Sequence, residues 1–423
     1  MGTDEPIRVL FATDCAYWQN CTGAQQRIFT LLKYLVQQSY VVETLYCGKL
    51  SGADKELISK HDLQVEAVYD DTPPANVNVI AKLKWHFRGT IYWLSQKWTR
   101  LKSVSDEVGG RDLEDFRSLQ IGQRFQQKLL EFSPQIVVVE YVSLAYLTEF
   151  VPKQLRQEIV LAVDTHDVMH SRCFQFMQMG HDHWIYLDED QERDALQAFD
   201  LIIAIQDDER AEFQRILPAA NIVVAKHAVR CPAQKPVKPA SQVRVGYFGS
   251  SNASNESAIK SFAADIWPRV LKATNGAAEL LVAGKVCDRI LQLKIPNCTL
   301  IGIIDNVPDF YDQVEIVVNP VNFGTGLKIK NLEALAFGKC LVTTTAGLTG
   351  MPNGVENAYF VADSNEQFAK VLVELVSRED LRQQVSAAAY RVAQQSLNEE
   401  TVYQPLKDAF EQTLRGKLSG QVS

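Results

Sequence analysis

Near-continuous apolar runs that alternate with helical stretches constrain the fold of this chain more than any other feature. Ile7–Ala12, Tyr40–Tyr46, Pro134–Glu140, Glu158–Asp164, Asp200–Ile205 and Asn221–Ala225 are such runs. Between the first two, Ile28, Leu31, Leu32 and Leu35 recur at spacings of three and four, which predicts an amphipathic helix over 24–38. Strands that are apolar throughout are buried on both faces, and the intervening helices supply the covers. Residues 232–241, Pro-Ala-Gln-Lys-Pro-Val-Lys-Pro-Ala-Ser, break the rhythm as a semi-rigid linker. It restarts with Val243–Phe248, Glu279–Gly284, Cys298–Gly302, Val314–Val318, Cys340–Thr344 and Ala358–Val361. The expected fold is α/β: two doubly wound parallel-sheet domains, 1–231 and 242–392, facing across a cleft. A last helical stretch, 393–423, is expected to return and brace the first domain. Open parallel sheets bind ligands beyond the C-terminal ends of their strands, so the cleft is the default site.

Composition narrows the class. A length of 423 residues suits two domains of about 200. The net charge of -8 gives no reason to expect a nucleic-acid partner. Eight scattered cysteines without a Cys-x-x-Cys pair read as free thiols in a reducing compartment. No apolar stretch is long enough to span a membrane, and no export signal is visible, so a cytoplasmic location is expected, with peripheral contact at the inner membrane face as a variant.

The most informative segment runs from Asn319 to Gly338, Asn-Pro-Val-Asn-Phe-Gly-Thr-Gly-Leu-Lys-Ile-Lys-Asn-Leu-Glu-Ala-Leu-Ala-Phe-Gly. It reads as a glycine turn after one strand, then a short helix before the next. Such a turn aims free backbone N–H groups and lysines at the sheet edge, where an anion such as phosphate belongs. Gly324 and Gly326 allow a tight turn and close approach, Thr325 offers a hydroxyl, and Leu327 leads to Lys328 and Lys330. The two lysines are two positions apart and diverge on a helix, so one of them is expected to reach the ligand. Gly249 and Ser250 close the first strand of the second domain in the same way, with Ser254 and Asn255 as candidate helix caps. Glu333 is placed to accept hydrogen bonds from a ribose or sugar diol. Lys330 and Glu333 would also suit a solvent-facing helix pair.

Gly246-Tyr-Phe-Gly249-Ser, Trp267-Pro268, Leu281-Val-Ala-Gly284, Gly302, Pro320-x-x-x-Gly-Thr-Gly-Leu-Lys-x-Lys-x-x-Glu-Ala-Leu-x-x-Gly338 and Gly347-x-x-Gly350 form a set over residues 242–360. As a set they resemble retaining glycosyltransferases of the two-domain GT-B architecture, close to glycosyltransferase family 4. The resemblance implies a nucleotide-diphosphate sugar as donor substrate, held by the second domain, with no cofactor and no essential metal. It assigns the ribose to Glu333 and the leaving diphosphate to Lys328 or Lys330, making Lys330 a catalytic candidate. Two departures stand out. Thr325 occupies a position where many members carry a second glutamate, and residues 250–257 lack the basic pair common after this strand. Charge compensation then falls to Lys328, Lys330, Lys285 or backbone amides.

On the other side of the cleft, Asp164-Thr-His-Asp-Val-Met-His-Ser-Arg172 gathers ionisable residues at a strand end. The resemblance places contacts with the transferred sugar and acceptor at Asp164, His166 and Asp167, of which His166 and Asp167 are the catalytic candidates; Arg172 holds the loop or a phosphate. It also brings Gly23, in Cys21-Thr-Gly-Ala-Gln-Gln-Arg27, near the donor phosphate. Glu140-Tyr141 is expected to line the same cleft. His166 and His170 at i, i+4 with Asp167 suggest a metal set, but no fourth ligand is suitably spaced. Asp188-Glu-Asp190 reads as an acidic helix start. Lys82–Lys102 combines six Lys or Arg with three tryptophans and no acid. That mixture suits an anionic membrane surface, a lipid-linked acceptor or sugar rings, and equally a helix packed on its own domain.

The expected function is retaining transfer of a sugar from a nucleotide-diphosphate sugar to a hydroxyl of a glycan, lipid-linked glycan or small molecule. The alternatives are a nucleotide-sugar epimerase or hydrolase, or a non-catalytic nucleotide-sugar-binding partner subunit.

Overall fold

A computed structural model describes residues 5–19, 22–70, 111–178, 180, 183–234, 241–304, 306–323, 327–352 and 357–420. The basic-aromatic segment 82–102 and Gly324, Thr325 and Gly326 lie outside the described residues.

Among the described residues, the first sheet has seven strands: β1 (Arg8–Thr13), β2 (Val41–Tyr46), β3 (Val65–Ala67), β4 (Ile136–Glu140), β5 (Val160–Asp164), β6 (Leu201–Ala204) and β7 (Ile222–Val224). They are ordered β3-β2-β1-β4-β5-β6-β7, and every pairing is parallel. The second sheet has six: β8 (Val243–Phe248), β9 (Ala278–Ala283), β10 (Cys298–Gly302), β11 (Ile316–Asn319), β12 (Cys340–Thr343) and β13 (Tyr359–Val361). Their order is β10-β9-β8-β11-β12-β13, again parallel throughout. Every residue of β4, β5, β11 and β12 is buried, as the uninterrupted apolar runs require. β3 went unpredicted because three residues, Val-Glu-Ala, carry no readable period.

Strand order reverses between β1 and β4 in one sheet and between β8 and β11 in the other. A doubly wound sheet splits open at that switch, leaving a crevice at the strand ends. The residues that follow β1, β4, β8 and β11 are Asp14, Tyr141, Gly249 and Pro320, so the topology aims the sequence-selected segments at two facing crevices.

The helix Glu399–Gly420 buries Val402, Tyr403, Leu406, Phe410 and Leu414 in the same core as Val9, Phe11, Ile28 and Leu31 of the first sheet. Full burial of a Leu or Phe is worth about 1.5–3 kcal/mol, so this helix is an integral cover of that sheet. It follows the helix Glu379–Ser396, whose Val385 packs in the core of the second sheet.

Candidate active site

Beside the second sheet, the helix Ile329–Ala336 starts directly after the glycine turn and carries Lys330 and Glu333 inward. Glu333 is buried, and its Oε2 accepts from the Tyr311 hydroxyl at 2.9 Å. Burial raises its carboxyl to about 7, against the pull of its bonds to Tyr311 and to Gln26 and of Lys330. Lys330 is half-buried; its Nζ donates to Asn255 Oδ1 at 2.6 Å and lies 4.7 Å above the Tyr247 ring. Enclosure of the ammonium brings it down to about 7, with neighbouring Lys328 adding to the drop. Lys328 falls to about 8 for the same first reason, opposed by Asp167 across the cleft. No ion pair joins Lys330 to Glu333 among the described residues, and both face inward. The solvent-facing pair is thereby set aside.

Asn255 ties this side together. Its Nδ2 donates to the Ser250 carbonyl at 3.2 Å and to Ser250 Oγ at 3.1 Å, while its Oδ1 takes the Lys330 ammonium. The helix cap is Asn252, whose Oδ1 accepts from Asn255 N at 2.8 Å, in place of the expected Ser254 or Asn255. Ser254 instead donates to the Phe323 carbonyl at 2.8 Å, clamping the entry to the glycine turn. Ser250 itself is exposed and Gly249 buried. Gly284 has φ +90°, and a Cβ there would overlap the Gly249 carbonyl oxygen, so the loops after β8 and β9 can touch only through glycine. Asn331, fully buried, donates to the Gly347 carbonyl at 2.7 Å and accepts from Asn319 Nδ2 at 2.8 Å. It locks the helix to the ends of β11 and β12.

The two sheets meet at this helix. A Cβ on Gly23 would overlap Ile329 Cδ1, and the Gln26 side chain bonds to Glu333. Gly23, expected beside a phosphate, thus admits Ile329 to the interface. Leu327 packs beneath Gly350, where a Cβ would strike it.

On the first sheet, His166 follows β5 and Tyr141 follows β4, both with positive φ, +60° and +67°. Non-glycine residues held there cost about 1–3 kcal/mol each and collect at functional sites. The two rings stack with centroids 4.1 Å apart and planes 13° from parallel. Glu140 Oε2 lies 2.6 Å from His166 Nε2, and Glu140 Oε1 has no hydrogen-bond partner among the described residues. Burial, then the charge of Asp164, raises the Glu140 pKa. Asp14 stands exposed in the crevice after β1; the protein around it raises its pKa, while its backbone bond and nearby His166 lower it.

Several expectations need correction. Glu140 does not line the cleft: it is fully buried behind His166. Asp164 does not face a sugar, because Arg27 Nε and Nη2 hold its two oxygens at 2.8 and 3.0 Å. Arg27 Nη1 also donates to the Ala225 and Lys226 carbonyls, so Arg27 is a buried brace. His166 and His170 do not share a helix, since the helix begins at Met169; His170 Nδ1 bonds Glu192 Oε2 at 2.6 Å. Asp167 is bonded by Arg172 through Oδ2, while its Oδ1 is unpartnered among the described residues. The acidic helix start expected at 188–190 is present: Asp188 caps the helix Glu189–Leu196, accepting from Gln191 N at 2.9 Å.

Two clusters of metal-ligand type occur among the described residues, Glu140-Asp164-His166 and His170-Glu189-Glu212. Arg27 occupies both Asp164 oxygens, and Arg215 bonds both Glu189 and Glu212, so guanidinium groups already balance Asp164, Glu189 and Glu212. Sequence reasoning missed Gln26, Asn331 and Gln206, because polar residues within amphipathic helices or just before them carry no signal of what they face.

Half-buried Lys330 and buried Glu333 lie on the second sheet's side of the interface, where Glu333 bonds Gln26 and Lys328 feels the charges of Asp167 and Arg172 from the first. Residues 242–378 match the model of the family Glycosyl transferases group 1. No curated protein matches the chain by sequence. Among solved structures, it is similar to HepE of Anabaena in complex with UDP and glucose, with 13% identity, 96% of this chain and 99% of that chain covered, and TM-score 0.64. Sucrose-phosphate synthase of Thermosynechococcus elongatus is similar at 12% identity, 97% and 100% coverage, and TM-score 0.65. So is a TarM mutant of S. aureus in complex with Fondaparinux, alpha-GlcNAc-glycerol and UDP, at 10% identity, 96% and 100% coverage, and TM-score 0.66. The chain therefore has the GT-B fold of glycosyltransferases, with the group 1 match confined to its second sheet and the helices around it.

Proposed function

We propose that the chain is a retaining glycosyltransferase of the family 4 type, using a nucleotide-diphosphate sugar and a hydroxyl acceptor. The observation that carries this reading is the pair of half-buried Lys330 and buried Glu333 at the head of the helix Ile329–Ala336, with Lys328 near enough to Asp167 of the first sheet's side to feel its charge. The ribose diol would replace Gln26 and bond Glu333, a carboxylate at the distance of one helical turn from the phosphates. The diphosphate would lie over the helix N-terminus, whose free N–H groups favour an anion. Neighbours that bind UDP or UDP-glucose support a nucleotide-sugar donor.

The chemistry follows from these placements. As the glycosidic C–O bond breaks, negative charge grows on the diphosphate, and Lys328, Lys330 and the helix N-terminus meet it. Positive charge grows on the sugar, and the His166–Glu140 pair faces it. His166 Nε2 is committed to Glu140, so Nδ1 is the ring nitrogen left for a sugar hydroxyl. Same-face attack by the acceptor, its proton passing to the departing phosphate oxygen, needs no carboxylate nucleophile. A thermal-shift screen of UDP, GDP, ADP, TDP and CMP sugars tests the donor half, because a ligand stabilises the native state by RT ln(1 + [L]/Kd). The anomeric configuration of the product, read by NMR, tests retention.

A further inference from the structure

A cavity of ≈ 310 Å³ lies where the helix Gly23–Gln37, on the first sheet's side, meets the helix Ile329–Ala336 of the second. Gln26, Thr30 and Lys33 line it from the first helix, at the i, i+4, i+7 spacing that puts side chains on one face. Glu333 lines it from the second helix and is bonded there by Gln26. Seven helical residues rise about 10.5 Å, so Lys33 stands two turns along the wall from the Gln26–Glu333 contact. Phe29, Val229, Val307, Pro308 and Phe337 make much of the remaining wall apolar. Lys33 is half-buried. Its Nζ lies 4.3 Å over the Phe29 ring and makes no hydrogen bond or ion pair among the described residues. Burial, then the charge of Arg230, lowers its pKa, against the pull of Glu399. Arg230 and Glu399 line the cavity too, but Arg230 Nε bonds Glu399 Oε1 at 3.3 Å, so they balance each other and leave the Lys33 donors unspent.

A slot with an acid at one end, apolar walls and an ammonium at the other has the plan of a nucleoside: a diol, a flat body and a polar far edge. An ammonium only donates, so the far edge of whatever fills the slot must accept. We infer that this cavity takes the donor's nucleobase and that Lys33 selects its class. Uracil, thymine and guanine carry a carbonyl oxygen at that edge, whereas cytosine and adenine carry an amino group. The inference rests on the proposed place of the ribose at Glu333. With an amino base, donors face donors, and a half-buried ammonium is left unpaired. Glu399, the acid near enough to take such an amino group, is already held by Arg230.

The test is titration calorimetry on the full chain with UDP, CDP, GDP and ADP, two pairs in which a carbonyl gives way to an amino group at that edge. The tighter of UDP and GDP should exceed its amino counterpart on the order of tenfold or more. Lys33→Met should bring that ratio to about one by weakening the carbonyl member, and Lys33→Glu should turn it in favour of the amino member. Glu333→Gln should weaken every nucleotide that binds alike, because it acts on the ribose. Binding of CDP or ADP as tight as that of its partner, or a ratio unchanged in both Lys33 variants, would overturn the selection by Lys33. If Glu333→Gln still weakens binding in that case, the donor reading stands without it. No binding by any of the four would overturn both.

Discussion

Glu140 Oε2 and His166 Nε2 lie 2.6 Å apart at the ends of two neighbouring strands, with the His166 ring stacked on Tyr141. One proton on either atom makes the bond, and burial of Glu140 favours keeping that proton in the pair. Two residues in strained backbone conformations thus hold one imidazole at a single angle. Strained backbone of this kind collects at functional sites, which is why the proposed function gives His166 the sugar.

Glu140→Gln keeps the shape of this pair but removes its ability to share a charge. Transfer should fall by about a hundredfold while the nucleotide thermal shift stays that of the wild type. Steady-state rates and melting curves on the same preparation check it; a lost nucleotide shift would mean that Glu140 supports the fold and not the chemistry.

Arg27 and Asp164 form a buried bidentate pair that also anchors the Ala225 and Lys226 carbonyls. Arg27→Leu leaves the Asp164 charge unpaired and should cost about 3–5 kcal/mol in urea unfolding. Arg27→Leu combined with Asp164→Leu should recover part of that loss, because the stranded charge is gone.

Lys330 sits near 7 without ligand because its ammonium is enclosed and Lys328 is close. A diphosphate favours the charged form and should raise that value, so binding above pH 7 takes up a proton. Affinity should then decline as pH rises from about 7 towards the bound-state value, and Lys330→Met should flatten the decline. Titration calorimetry in buffers of different ionisation enthalpy reads the proton directly.

Glu209 is raised to about 8 by burial, with Asp167 adding to the rise. The native state keeps this proton in a range where the unfolded chain, near 4.5, has released it. The native state therefore binds more protons, and stability should fall as pH rises from about 4.5 to about 8. Glu209→Gln should remove that part of the slope, which denaturant melts at several pH values can measure.

The two-sheet plan was legible because β4, β5, β11 and β12 are buried on both faces and so must be apolar at every position. The short helix after the glycine-lysine stretch was legible because the apolar pattern of Ile329, Leu332 and Leu335 resumes there, and it carries Glu333 inward. Arg27 and Asp164 were not legible as partners: they are 137 positions apart, and only the sheet order brings them together. Asp164 was misassigned for that reason, since a carboxylate at a strand end reads the same whether it meets a sugar or an arginine. Gln26 was hidden in the same way, on a helix whose periodicity reports only its apolar face.

In the proposed function, the helix Ile329–Ala336 and His166 serve a nucleotide-diphosphate sugar from opposite sides. The most direct measurement is the nucleotide-sugar thermal-shift screen, run on the wild type, Glu333→Gln and His166→Ala, followed by nucleoside-diphosphate release from whichever donor binds. One family of nucleotide sugars should give a shift, weakened on the order of tenfold or more in Kd by Glu333→Gln, and kept in His166→Ala while release collapses. No shift from any of the UDP, GDP, ADP, TDP or CMP sugars, or undiminished release by both variants, would contradict it.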